Sequence, residues 1–496
     1  MAVLMWHMRS VTATHEHIKN EPITWMRRGV WLSLAALPVA LMIATTQRMT
    51  QVIAPIPFLW VVPLALYLLS FVLAFEGWGR GGTVPALIAL FAASSFLFLD
   101  VGVYDIGKQL FSNLALFFAG SLFCHSLLYE YRPLGHQSAI YYVWVALGGA
   151  IGTFAMSILA PVYVRDFLEF VFILLAVGVL AIALFPATTY IRDEFHKNAR
   201  TLKMVCAFLA IYMVGQFVYM QTEGAVYASR DFYGMIKVYE YNELRSLYHG
   251  TTLHGTQRMT GEMILNPTTY YVPTSGAGRA ILAMREVRGK QPLDVGVVGL
   301  GAGTLAGYCR KSDHFSFYEI DPRVEKLARE RFTYLNACEK SEVHIGDGRL
   351  LLVAELKEGS KQYDVLLIDA FSDDTVPVHL LTKEAIELYF KHLRDDNGIV
   401  GVHTSSRYLE LSPVIMRIAQ ELGLSARVVS DDVISDESEG ASSVWVVLSK
   451  NQKAFVTPQF VTIPEFVMPT TTPLWTDDYA NVFGTVTFSM FKLWTN

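Results

Sequence analysis

The sequence predicts a two-part fold: a multi-spanning α-helical membrane domain, then an α/β domain with a mostly parallel sheet. Three observations carry this. Apolar runs near membrane-spanning length recur between residues 29 and 220. Strand and helix patterns then alternate from about 293 to 448. Where the first of those strands ends, glycines stand at Gly299, Gly301 and Gly303.

The composition fits such a division. Hydrophobic residues make up 52% of the 496 and charged residues only 17%, and most of the charge follows Asp193. One part is therefore suited to an apolar solvent and the other to water. A net charge of −5 gives no electrostatic footprint for nucleic acid. Cys124, Cys206, Cys309 and Cys338 are widely separated, and their spacing suggests neither a metal site nor a disulfide framework. The expected division is a polar N-terminal segment (1–28), a transmembrane domain of six to seven helices (29–220), a β-hairpin region (221–290), an α/β domain (291–450) and a C-terminal extension (451–496).

The expected spans are 29–46, 57–75, 83–99, 109–128, 138–161, 167–185 and 204–220. Gly148, Gly149 and Gly152 would let helix backbones approach closely. No ionisable residue except His125, near one helix end, sits mid-span, fewer than a transport pathway needs. Arg9, Lys19, Arg27 and Arg28 precede the first span, and Arg192, Lys197, Arg200 and Lys203 lie between the sixth and seventh. The positive-inside rule puts both groups in the cytoplasm. Seven full spans would then export the C-terminal half, whereas a nucleoside co-substrate is cytosolic. Either the segment 204–220 does not cross fully, or one earlier span is miscounted, or the domain is outside; the expectation is an integral membrane protein with a cytoplasmic C-terminal domain.

In the second half, residues 230–253 alternate around the break Tyr241-Asn242-Glu243 and predict a hairpin. His249 and His254 are expected as surface turn residues. A Tyr-, Gly- and Ser-rich loop, 266–278, leads into a helix over 279–288. Val295, Val297 and Val298 form a buried strand. The glycines after it allow a tight turn and close approach to a ligand, and 304–310 is expected to continue as a helix with its N-terminus toward that ligand. A strand over 315–320 carries Glu319, about 20 residues after the first glycine, where a carboxylate can hold a ribose. The spacing is G-x-G-x-G, with Thr304 in the sixth position, a form suited to an adenosyl sulfonium compound. Further on, helices are expected at 323–332, 349–357, 383–393 and 412–422, and strands at 342–345, 363–368, 398–403, 426–430 and 443–448. Glu319, Asp347 and Asp369 then stand with Gly299 at the carboxyl ends of strands, where ligands of such sheets sit.

These motifs, VVGLGAG, FYEIDP, GDGR and YDVLLIDAFSDD with the hairpin before them, resemble the polyamine aminopropyltransferase (spermidine synthase) family over roughly 226–450. VPVHLLT at 376–382 and the spanning N-terminal half resemble its membrane-fused, spermidine-synthase-like bacterial branch. The resemblance implies a Rossmann-like (methyltransferase-type) fold in a protein of the bacterial inner (cell) membrane. It implies transfer of an aminopropyl group from decarboxylated S-adenosylmethionine to a small-molecule amine or polyamine, as in polyamine biosynthesis, without a metal. Gly299, Gly301 and Gly303 would bind the sulfonium side, Glu319 the ribose, and Asp347 with Gly348 the adenine. Asp369 would be the catalytic base or orient the amine.

The D-S-S-D-P pattern of that family departs here. Ser372 takes the place of the second carboxylate, and Asp373 and Asp374 follow. Asp373, Tyr270, Tyr271 and His379 are the substrate-binding candidates, and Trp475, Asp477 and Asp478 are further candidates for a polyamine's cationic ends. His403, Ser405, Ser406 and Arg407 lie at the same sheet edge, and the acidic run 431–439 reads as a solvated loop. Two other functions fit the residues: an S-adenosylmethionine-dependent methyltransferase, and a non-catalytic membrane sensor or transporter with a nucleoside- or polyamine-binding domain. Methyltransferases often carry an acid two residues before the first glycine, and here that position is Val297. The lipid bilayer is the other expected partner, and assembly as a homo-oligomer is left open.

Overall fold

A computed structural model describes residues 23–52, 58–77, 106–133, 135–164, 169–184, 215, 224–231, 233–250, 252–370, 377–406, 409–431, 441–464 and 472–485. Asp373, Arg407 and the expected spans 83–99 and 204–220 lie outside the described residues or almost wholly so.

The first part is a helical bundle: α1 (Trp25–Val52), α2 (Phe58–Phe75), α3 (Ile106–Glu130), α4 (Ser138–Phe154) and α5 (Glu169–Leu184). Helix α4 runs on through a π-helical turn, Ala155–Leu159, to Tyr163. Three helices, Trp25–Thr50, Leu110–Glu130 and Ser138–Tyr163, are long and apolar enough to cross a membrane, and Trp60–Phe75 and Glu169–Leu180 are shorter apolar helices. Helix α4 lies along α1 where the glycines allow it. A Cβ on Gly148 would sit 2.5 Å from the carbonyl oxygen of Leu32, and one on Gly152 2.5 Å from that of Ala36. Gly149 has only Val39 near, at 3.9 Å, so the other two glycines make the close approach. His125 is buried in the bundle, its Nδ1 3.0 Å from Ser70 Oγ.

The expected hairpin is the centre of a four-stranded antiparallel sheet: β1 (Ala225–Asp231), β2 (Gly234–Tyr241), β3 (Leu244–His249) and β4 (Thr252–Arg258). Its turn, Asn242-Glu243, has positive φ at both residues, the left-handed geometry that matches strand twist. His249 and His254 are not surface turn residues. They lie on β3 and β4 with rings 5.8 Å apart and largely covered, because the sheet packs against the domain that follows.

That domain begins with α6 (Gly276–Arg288), capped by Ser275 Oγ, which accepts from Gly278 N–H. Then come β5 (Asp294–Val298), β6 (His314–Glu319), α7 (Pro322–Glu330), α8 (Tyr334–Ala337), β7 (Ser341–Ile345), α9 (Gly348–Glu358), β8 (Val365–Ile368), α10 (Lys383–Lys391), β9 (Ile399–His403), α11 (Ser412–Glu421), β10 (Ser425–Asp431) and β11 (Ser443–Ser449). The sheet order is β10-β11-β9-β8-β5-β6-β7, parallel from β9 to β7 and antiparallel at β10 and β11. Strand alternation splits the core into two layers. Val295 and Val297 pack on one face with Ala280, Ile281 and Met284 of α6, and Val298, Leu366 and Ile368 on the other with Ile386 and Tyr389 of α10.

Two expectations fail here. Residues 304–310 do not form an α-helix; Thr304–Tyr308 is a short 3₁₀ helix. Gly307 in its middle lies where a Cβ would be 2.5 Å from Leu265 O, so the segment is shaped by packing rather than by helix propensity. And Cys309 forms a disulfide with Cys338, tying the end of that segment to α8. The spacing of 29 residues gave no sign of it, because the fold brings the two together. Cys124 is free and buried in the bundle.

Candidate active site

The parallel strands end together, and a cleft opens above them. Gly299, Gly301, Glu319, Asp347, Gly348, Asp369 and His379 all line it, from four different strand ends. Ile320, Pro377 and Leu380 supply apolar wall.

The glycine turn is compelled by what it touches. Gly299 has φ +107°, and a Cβ there would lie 2.2 Å from the Asp369 carbonyl oxygen. Gly301 has φ +55° and would meet His254 O at 2.4 Å. Gly303 has φ +78° but faces Leu335, so its part is packing against α8. Gly348 opens α9 directly on Val298, whose Cγ1 a Cβ would meet at 2.5 Å.

Glu319 is buried at the end of β6. Oε2 accepts from Leu300 N–H at 3.0 Å and Oε1 from Asp321 N–H at 2.9 Å. Burial pushes its carboxyl up to about 7. Asp347 caps α9, Oδ1 accepting from Leu350 N–H at 2.9 Å, while Oδ2 lies 3.1 Å from His379 Nε2. His379 therefore belongs beside the expected adenine carboxylate.

Asp369 follows β8. Oδ1 is 2.6 Å from His403 Nδ1, and Oδ2 accepts from Tyr271 O–H. Tyr270 stacks on the His403 ring with centroids 5.0 Å apart, and its hydroxyl donates to Leu253 O at 3.0 Å. The two tyrosines thus stand behind Asp369 with their polar tips engaged. Burial first, and then the Asp369 charge, raises both phenols well above their ordinary value, so they stay protonated. Asp477 is held by Arg349 at 2.6 Å and by Thr382 at 2.7 Å, and Trp475 is fully buried. These partners leave Asp477 committed within the fold rather than held ready for a substrate.

Two residues gain importance from the structure. His403 becomes the partner of Asp369. The signal was present: β8 and β9 are parallel neighbours with Ile368 opposite Val402, so the residues that follow are adjacent. His254 lines the cleft, its Nε2 buried without a hydrogen-bond partner among the described residues. Burial pushes its imidazole down to about 3, helped by His249 and His403, so it stays neutral.

Sheet order, glycine turn and strand-end acids define a Rossmann-like domain of methyltransferase type. No family model matches the chain. It is similar to a polyamine aminopropyltransferase of Vibrio vulnificus (strain CMCP6), 27% identical over 207 residues, which covers 41% of this chain and 64% of that protein. The chain thus spans less than two thirds of the length of that relative. It is also similar to the eEF1A lysine and N-terminal methyltransferase of Homo sapiens, 36% identical over 106 residues, 20% of this chain and 15% of that one. Both named relatives are transferases. A solved spermidine synthase in complex with the transition state analogue AdoDATO covers 51% of this chain and 83% of its own, at 14% identity and a TM-score of 0.35. The O-methyltransferase TomG from Streptomyces achromogenes in complex with SAM covers 36% and 81%, at 15% identity and a TM-score of 0.27.

Proposed function

We propose that the protein is a membrane-bound, spermidine-synthase-like transferase that moves an aminopropyl group from decarboxylated S-adenosylmethionine to an amine. The observation that carries this reading is Asp369: a buried carboxylate at a strand end, beside the glycine turn, facing a cleft whose far wall holds Glu319 and Asp347. Glu319 would accept from the ribose hydroxyls and Asp347 from the adenine amine, with Ile320 and Leu380 against the ring. A neutral amine would attack the carbon bound to the sulfonium. The new C–N bond forms as the C–S bond breaks, sulfur leaves as a neutral thioether, and the proton shed by nitrogen goes to Asp369. Asp373, outside the described residues, remains the candidate for a polyamine's distal cation. Three helices of the bundle are long and apolar enough to cross a bilayer, which supports membrane attachment.

A second reading, methyl transfer from S-adenosylmethionine, is favoured by the similarity to the human methyltransferase. Calorimetric titration of detergent-solubilised full-length protein separates them. Tighter binding of decarboxylated S-adenosylmethionine than of S-adenosylmethionine is expected. The reverse preference selects the methyltransferase. Binding of neither, with methylthioadenosine also inert, overturns both and leaves a non-catalytic membrane protein.

A further inference from the structure

We propose that His403 is a positioning residue that orients the Asp369 carboxylate, an inference that rests on the transfer reaction above. Its ring is clamped between Tyr270 and Trp445, the latter stacked with centroids 4.5 Å apart. Nδ1 points at Asp369 at 2.6 Å and Nε2 at Ser405 Oγ at 2.8 Å. Ser405 Oγ accepts from Val444 N–H at 2.7 Å and also lies 3.5 Å from Val444 O. The hydroxyl therefore has two uses. With a neutral imidazole it donates to Nε2. With an imidazolium it accepts from Nε2–H and turns its own hydrogen to Val444 O. Either way Ser405 satisfies Nε2, so the ring can hold Nδ1–H on the Asp369 carboxylate without stranding a buried donor. Among the described residues, the acid and hydroxyl groups and the second imidazole facing the ring are Asp369, Tyr270, Tyr271, Ser405 and the neutral His254.

The test is His403→Gln in the full-length protein. It should lower kcat about 10- to 100-fold, leave donor affinity within about twofold, and move the acid limb of the kcat–pH profile, because the carboxylate loses the charge-assisted bond from Nδ1–H. Unchanged kcat and an unmoved profile overturn the proposal. If the native protein turns over no donor, the transfer reading fails, and the dyad is judged by proton NMR. A far-downfield Nδ1–H signal that vanishes in Asp369→Asn supports it, and its absence from the native protein overturns it.

We infer, from separate observations, that the C-terminal domain stands outside the cytoplasm. Helices α1 and α4 run parallel, as the pairs Gly148–Leu32 and Gly152–Ala36 require. The soluble domain docks where α4 ends and α5 begins, Arg230 donating to Val164 O and to both oxygens of Glu169. That end is opposite the start of α1, where Arg27 and Arg28 lie with Arg132 near the end of α3. Alternation of the expected spans assigns Arg9, Lys19, Arg80, Arg192, Lys197, Arg200 and Lys203 to the side of Arg27. It leaves Arg48, Lys108 and Arg165 on the domain side. The positive-inside rule makes the first side cytoplasmic. The Cys309–Cys338 disulfide agrees, since such bonds persist in oxidising compartments. This reverses the expected cytoplasmic placement, and an adenosyl donor would have to reach the site from outside or be carried there. The inference needs the bundle to span a bilayer but not the transfer reaction.

The full chain fused at its C-terminus to alkaline phosphatase, and separately to green fluorescent protein, tests it in a bacterial host. Active phosphatase with a dark fluorescent fusion is expected, together with Cys309 and Cys338 protected from alkylation after denaturation until reductant is added. A fluorescent fusion with inactive phosphatase overturns it. Membrane extraction at high pH that releases the protein shows instead that the bundle does not span, and overturns it as well.

Discussion

The main-chain N–H of Leu300 donates to Oε2 of Glu319 at 3.0 Å, so the acid that ends β6 holds the glycine turn that follows β5. Burial pushes that acid up to about 7. Ribose hydroxyls donate to its ionised form, so adenosyl-ligand affinity should rise between pH 6 and 8. Glu319→Gln should bind about 10- to 100-fold more weakly, the loss of hydrogen bonds to a charged group, and without that pH trend. Calorimetry at pH 6, 7 and 8 checks both, and an unchanged affinity would remove Glu319 from the ligand site. The ligand-free fold follows the opposite trend. Folded protein keeps a proton that the unfolded chain loses in the ordinary carboxylate range, so this residue's contribution to stability is present at acid pH and lost as pH rises through about 7.

Asp369→Asn keeps the shape of the residue and removes its charge. Turnover should fall about 10²- to 10⁴-fold, while donor binding and the melting temperature stay close to those of the native protein. Undiminished turnover would exclude Asp369 as base.

Arg230 and Glu169 are both almost fully buried, 2.9 Å apart, at the joint between bundle and soluble domain. Arg230→Met strands a buried carboxylate, which costs about 3–5 kcal/mol. Thermal unfolding in detergent should show a clear drop in midpoint. The double variant Arg230→Met/Glu169→Leu should recover much of it, because apolar replacement of a whole buried pair is often neutral. No recovery would mean that the pair's geometry, rather than its charge balance, holds the joint.

Gly299→Ala combines a left-handed φ with a Cβ 2.2 Å from Asp369 O. Either the turn or Asp369 must move. Donor binding should be lost at concentrations that saturate the native protein, with a smaller effect from Gly303→Ala, whose nearest neighbour is the side chain of Leu335 at 3.1 Å.

What was legible in the sequence was what one short segment decides by itself. Val295, Val297 and Val298 need no partner to read as a buried strand, and Gly299 and Gly301 announce their turn because other residues do not fit there. The acids at 319, 347 and 369 fall into one cleft because a parallel sheet gathers its strand ends. Pairings across the fold were not legible. Cys309 meets Cys338 only after α8 has packed on the 3₁₀ segment. His254 looks like a polar turn residue until β4 is laid against the glycine loop, where its carbonyl receives Ala302 N–H at 3.1 Å. The segment 304–310 has helical composition, yet its backbone is set by Leu265 and Leu335, which lie far from it in the chain.

The π-helical turn at Ala155–Leu159, where Ala160 N–H reaches back to Ala155 O, acts as a phase adjuster. It holds one residue more than a regular turn, which offsets everything beyond it by about 100° around the helix axis. Before the offset, Gly148 and Gly152 face α1; after it, Ala160 is the buried residue and Val164 presents its carbonyl to Arg230. Deleting one residue inside Ala155–Leu159 would let the helix relax into regular winding and swing its docking end away from β1, as a key cut one notch short no longer turns its lock. The carbonyl that α4 presents to Arg230 is thereby aimed by a single surplus residue in that helix.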